Sequence, residues 1–142
     1  VKMGEIFLEK GQDIFSVEEK TSSKMYKAGL TGPLKSLDNI VVLQNKGSAS
    51  ASEIFSGMMK DYDKATIVGS TSLGKGTVQQ VLNYQNGGIL KLTIAKWLTP
   101  KGHWIHEKGV EPDVMVEDQT PEERKNKLDR QLDRAVQVIF GR

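Results

Sequence analysis

Asn39-Ile40-Val41-Val42-Leu43-Gln44-Asn45-Lys46-Gly47-Ser48-Ala49-Ser50-Ala51-Ser52-Glu53-Ile54-Phe55 reads as a buried strand over residues 39–43, a tight turn of small residues, and the start of a helix. The strand is a continuous apolar run. In the helix, Ile54, Phe55, Met58, Met59 and Tyr62 recur at helical spacing and give it one apolar face. A second apolar run, Ala65-Thr66-Ile67-Val68, follows at once. Strand, helix and strand in succession make an α/β fold the expectation.

Working outward, the glycine-bearing loop 69–76 leads into a strand at 77–84, and Asn86-Gly87-Gly88 turns it back into a returning strand at 89–98. Those turn residues tolerate positive φ, so a β-hairpin is expected. Asp113-Val114-Met115-Val116 reads as a short last strand. Thr120 and Pro121 then start a helix with a capping residue and an N1 proline. Its positions Leu128, Leu132, Ala135, Val136 and Ile139 predict one buried stripe. On the N-terminal side, residues 6–8 close a helix ended at Gly11, and residues 14–17 form a strand. Residues 18–38, rich in lysine, serine and glycine, read as a mobile loop. The resulting architecture is a mixed sheet with a β-hairpin and flanking helices.

The chain has 142 residues, enough for one domain with a core. Its formal charge of +2 builds no field that would recruit nucleic acid or an anionic membrane. With no cysteine, disulfides, thiolate metal sites and cysteine nucleophiles are excluded. No apolar run reaches the roughly 18 residues of a membrane helix.

A serine at the mouth of a helix can be an activated nucleophile, because free backbone N–H groups there stabilise the oxyanion it generates. Ser50 and the N–H of Ala51 suit that role. Ser50 and Glu53 also spell a capping box, which requires no function. The base is open between Lys75, held between Gly74 and Gly76, and the histidines His103 and His106. A nucleotide-binding loop competes for the same lysine, since Gly69-Ser70-Thr71-Ser72-Leu73-Gly74-Lys75 has the G-x-x-x-x-G-K spacing. Gly76 stands where a metal-binding hydroxyl is needed, and a strand follows instead of a helix, so context opposes it. Asp61 and Asp63 offer a carboxylate pair, but at a helix end they read as solvated or turn-forming residues, and His103 with His106 lack an established metal-ligand spacing.

Asn45-Lys46-Gly47-Ser48-Ala49-Ser50-Ala51-Ser52-Glu53-Ile54, followed by Gly69 and then Gly74-Lys75-Gly76-Thr77-Val78-Gln79-Gln80, resembles the tail-specific, C-terminal-processing serine peptidases. The similarity continues through residues 92–96, 99–102 and 109–113. The resemblance implies Ser50 as nucleophile, Lys75 as its base, Gln79 as the residue that orients the lysine, and the Ala51 N–H as an oxyanion donor. It directs attention to Asp61 for structural support. The implied reaction is endopeptidase cleavage near the C-termini of protein substrates through an acyl-enzyme, with no metal or cofactor. The implied partners are protein or peptide substrates with apolar C-termini and no nucleic acid; homo-oligomers stay open. The resemblance also implies an exported or periplasmic location, with membrane association only through segments outside residues 1–142. Those residues then form the C-terminal portion of a catalytic domain, without the family's PDZ-like and N-terminal parts. The alternative is a non-catalytic binding or scaffold fragment.

Overall fold

The computed structural model describes residues 1–141. Its mixed character resolves into two sheets. A parallel sheet is formed by β3 (Ile40–Gln44), β4 (Ala65–Gly69) and β7 (Val114–Met115), in the order β3-β4-β7. An antiparallel sheet of order β2-β1-β6-β5 is formed by β1 (Asp13–Glu19), β2 (Ser23–Lys27), β5 (Thr77–Asn83) and β6 (Ile89–Leu98). Helix α1 (Lys2–Glu5) opens the chain, and α2 (Ala51–Asp61) carries it from β3 to β4.

The two sheets meet through α2. Its residues Met58 and Met59 are fully buried with Leu8 and Ile14, forming the main core. Trp97, Ile105 and Val110 form a second cluster, and Ile54 and Phe15 pack against both. Because β3 and β4 run parallel, the segments that leave their carboxyl ends emerge at the same edge. In parallel sheets that edge is where ligands bind. The turn holding Ser50 follows β3, and the loop holding Lys75 follows β4.

Two expectations are corrected. Residues 18–38 are not loop throughout, because Ser23–Lys27 forms β2, paired antiparallel with β1. The strand is largely exposed and lacks an apolar run, so composition conceals it. It is secured by Tyr26, whose ring stacks on Phe15 with centroids 4.5 Å apart, and by an ion pair from Lys27 to Asp13 at 2.7 Å.

The C-terminal helix is two helices, α3 (Pro121–Lys125) and α4 (Arg130–Phe140). Lys127 takes φ +56° between them, and Asp129 caps the second by accepting from the Leu132 N–H at 3.0 Å. The expected stripe does not lie inward. Ala135 is buried, but Leu128, Leu132, Val136 and Ile139 are exposed. The inward face instead runs through Gln131 and Ala135. Gln131 donates to the Val116 carbonyl at 3.0 Å, and the small Ala135 permits close approach.

Tyr26→Ala should destabilise the fold by about 1 kcal/mol, the stacking contribution of an aromatic pair, while Met25→Ala on the exposed face of the same strand should be near neutral. Urea unfolding of the two variants checks this.

Candidate active site

Ser50 is the residue before α2, with φ +56° and ψ −113°, a conformation that costs a non-glycine residue about 1–3 kcal/mol. A sharp, strained strand-to-helix turn pushes a serine hydroxyl out to where substrate can reach it. Ser50 is accordingly exposed. Its N–H is held by Glu53 Oε2 at 2.7 Å, which is one half of the capping box. The reciprocal contact, from the Glu53 N–H toward the Ser50 side chain, is in place but does not close as a hydrogen bond. Capping and nucleophile roles are therefore compatible: the backbone is capped while the hydroxyl is left free. Ser48 and Ser52 are engaged in the turn itself, accepting from Asn45 N–H at 3.1 Å and Ala49 N–H at 2.9 Å.

Glu53 reaches beyond its own helix. Fully buried, its carboxylate also accepts from Ser72 Oγ at 2.6 Å, Gly74 N–H at 2.6 Å and Lys75 N–H at 3.0 Å. One carboxylate thus joins the Ser50 turn to the Lys75 loop, and the Leu73 N–H adds a bond to the Ser48 carbonyl at 2.9 Å. Ser72, itself buried, accepts from the Val110 N–H at 2.7 Å. Sequence reasoning treated Glu53 as a capping residue only. Ser-x-x-Glu was the available signal, and nothing local reveals partners some twenty residues away.

From the other side, two indoles hold the loop: Trp97 Nε1 donates to the Lys75 carbonyl at 2.9 Å and Trp104 Nε1 to the Gly76 carbonyl at 3.0 Å. Gly76 is packed so closely on His106 that a Cβ would lie 2.7 Å from its backbone nitrogen, and Gly74 has φ +85°. The glycines on each side of Lys75 are thus set by backbone approach.

The same contacts remove the ground for a nucleotide-binding loop. The loop N–H groups that would cradle a phosphate are turned to the internal carboxylate of Glu53, and Thr77–Asn83 is a strand. The histidines lie elsewhere. His106 Nδ1 is 3.2 Å from the Gly74 carbonyl and His103 Nδ1 3.2 Å from Asp61 Oδ1, so neither pairs with Ser50. Asp61 ends α2, about 16 Å along the helix from Ser50. There it accepts from the Lys101 N–H at 2.7 Å and supports the turn after β6. It borders a separate polar cavity of about 540 Å³. Among the described residues, no group of three or more acidic or histidine side chains is arranged to hold a metal ion.

Ser50, Lys75 and Gln79 line one open cavity of about 440 Å³, floored by Phe15, Ile54 and Trp97. Lys75 and Gln79 are an even number of residues apart, the spacing that puts two side chains on one face of an extended backbone, and both reach this cavity. The pairing of β5 with β6 shifts between Val78 and Gln79, leaving Ile94 of β6 as the extra residue. Both Val78 and Gln79 line the cavity. Among the described residues, no hydrogen bond joins Ser50 Oγ to Lys75 Nζ, and Lys75 is exposed at the rim. The Ala51 N–H lies at the open N-terminus of α2, where backbone donors lack helical partners.

Comparison with known proteins places the chain in a family. The family model Peptidase family S41 matches residues 1–116, and the chain belongs to that family of serine peptidases. A probable CtpA-like serine protease of Staphylococcus saprophyticus is 44% identical over 119 residues, covering 83% of this chain and 24% of that relative. A counterpart in Staphylococcus aureus is 43% identical over 118 residues, with 82% and 24% covered. The chain thus spans about a quarter of the length of the curated relatives it matches. Among solved structures, the photosystem II D1 C-terminal processing protease superposes with a TM-score of 0.71 at 31% identity, over 81% of this chain and 30% of that one. A lipoprotein from Streptococcus agalactiae shares the fold, with a TM-score of 0.61 at 19% identity, over 92% and 49%. Among the described residues, no helix is long and apolar enough to cross a membrane.

Glu53→Ala strands buried donors on two segments and should cost on the order of 3 kcal/mol, lowering the melting temperature by roughly 10 °C. Glu53→Gln should also destabilise, because its amide NH₂ faces N–H groups in place of an acceptor. Circular-dichroism melts of both variants measure the effect.

Proposed function

We propose that this chain carries a serine–lysine catalytic centre that cleaves protein substrates near their C-termini. The observation that carries it is the meeting of Ser50, Lys75 and Gln79 on one cavity, with Ser50 exposed on a strained turn. Lys75 Nζ, uncharged, takes the proton from Ser50 Oγ, and Oγ adds to the peptide carbonyl carbon. The oxyanion forms at the N-terminus of α2, where the Ala51 N–H and the helix dipole favour negative charge. The C–N bond breaks, Lys75 returns the proton to the leaving amine, and water then hydrolyses the acyl-enzyme by the same exchange. Gln79 orients the amine. Exclusion of water favours a neutral lysine, and a peptide lying over the open cavity provides it. Hydrogen bonds of this kind are often long before substrate enters, which accommodates the unclosed Ser50–Lys75 pair.

Cleavage near C-termini is supported by the likeness to a protein named for C-terminal processing, and the apolar floor of the cavity suits apolar residues beside the cut. We place the site in the C-terminal portion of a catalytic domain, acting on protein or peptide substrates on the extracytoplasmic side of a membrane. In the full-length protein, Ser50→Ala and Lys75→Ala should each lower kcat/KM by at least about a thousandfold with unchanged melts. Gln79→Ala should lower it by up to about a hundredfold, and Ser48→Ala and Ser52→Ala by much less. Cleavage of a peptide with an apolar C-terminus is the assay, and full activity in Ser50→Ala sinks the assignment.

A further inference from the structure

The hairpin that brings Gln79 to the cavity brings a second cation with it. In the β5–β6 register Gln79 faces Thr93 and Val81 faces Lys91, so Lys91 lies two residues further toward the hairpin turn, about 7 Å along the strand. Val81 and Lys91 both line the cavity that holds Ser50. Among the described residues its only charged lining groups are Lys75 and Lys91, with no carboxylate beside them. Elsewhere on β6, Lys96 is neutralised by Glu18 at 2.8 Å. Among the described residues Lys91 has no ion-pair partner.

Resting on the peptidase reading above, we propose that Lys91 is a specificity-determining residue whose ammonium pairs with a carboxylate of the bound peptide. An extended peptide advances about 3.3 Å per residue. A carboxylate carried about two to three residues from the scissile bond therefore falls within reach of Lys91. Lys75 cannot serve this purpose and be the base as well, since the base must shed its charge. The carboxylate is either the free C-terminus of the substrate or an acidic side chain. In both cases Lys91 admits the charge to a cavity that is otherwise apolar on its floor.

The test uses the full-length protein, as wild type, Lys91→Met and Lys91→Arg. Three peptides of one sequence are compared: one ending in a free carboxylate, one ending in an amide, and one amidated but carrying Glu in place of Gln three residues from the cut. The wild type should prefer a carboxylate-bearing peptide over the plain amide by about fivefold in kcat/KM, expressed in KM. Lys91→Arg should keep the preference and Lys91→Met should erase it. Which of the two acidic peptides is favoured identifies the source. Equal discrimination by wild type and Lys91→Met overturns the proposal. Calorimetric titration of the same peptides into Ser50→Ala, with and without Lys91→Met, reads binding apart from chemistry. If no peptide is cleaved, the peptidase reading fails, and the titration still decides whether Lys91 recognises a carboxylate.

Discussion

The structure depends on one buried carboxylate. Glu53 receives hydrogen bonds from the Ser50 N–H, the Ser72 hydroxyl, and the N–H groups of Gly74 and Lys75. A buried carboxylate is tolerable only when its oxygens are satisfied, and here the satisfying groups come from two segments that parallel pairing of β3 and β4 brings to one edge. The cost of burying the charge is offset only when the serine turn and the lysine loop are both in place. The two halves of the proposed catalytic pair are thereby folded as one unit, although among the described residues no hydrogen bond joins their side chains. The strained backbone of Ser50 is held by the same carboxylate, which accepts its N–H at 2.7 Å.

The loop itself explains why a glycine-rich G-x-x-x-x-G-K segment can mean something other than phosphate binding. Such loops present backbone N–H groups to an anion. Here the anion is internal and permanent. With its amides facing Glu53 and its carbonyls taken by Trp97 and Trp104, the loop has few backbone groups left for a ligand. What remains free is the Lys75 side chain, delivered to the cavity rim by a backbone held from both sides.

The parts legible in the sequence were those set by local chemistry. The apolar run of β3, the helical spacing of α2 and the turn residues of the β5–β6 hairpin each carry their meaning within a few residues, whereas the Ser-Ala-Ser-Ala-Ser-Glu and Gly-Lys-Gly-Thr motifs took theirs from the family resemblance. The parts that were not legible depend on distant partners. Strand β2 is a polar edge strand whose pairing rests on Phe15 and Tyr26 meeting across it. The outward apolar stripe of α4 has ideal spacing, but Gln131 and Ala135 make the contact that decides which face turns inward. The reach of Glu53 to Ser72 is likewise a property of the assembled fold.

The account's central claim is that the turn and the loop are joined so that Lys75 activates Ser50 and no other serine of the motif. Labelling the full-length protein with an acylating serine probe such as a β-lactone, and locating the adduct by mass spectrometry, tests this most directly. The adduct should lie on Ser50 and be lost in Lys75→Ala, while the melt of that variant is unchanged. An adduct on Ser48 or Ser52, or undiminished labelling of Ser50 without Lys75, would contradict it.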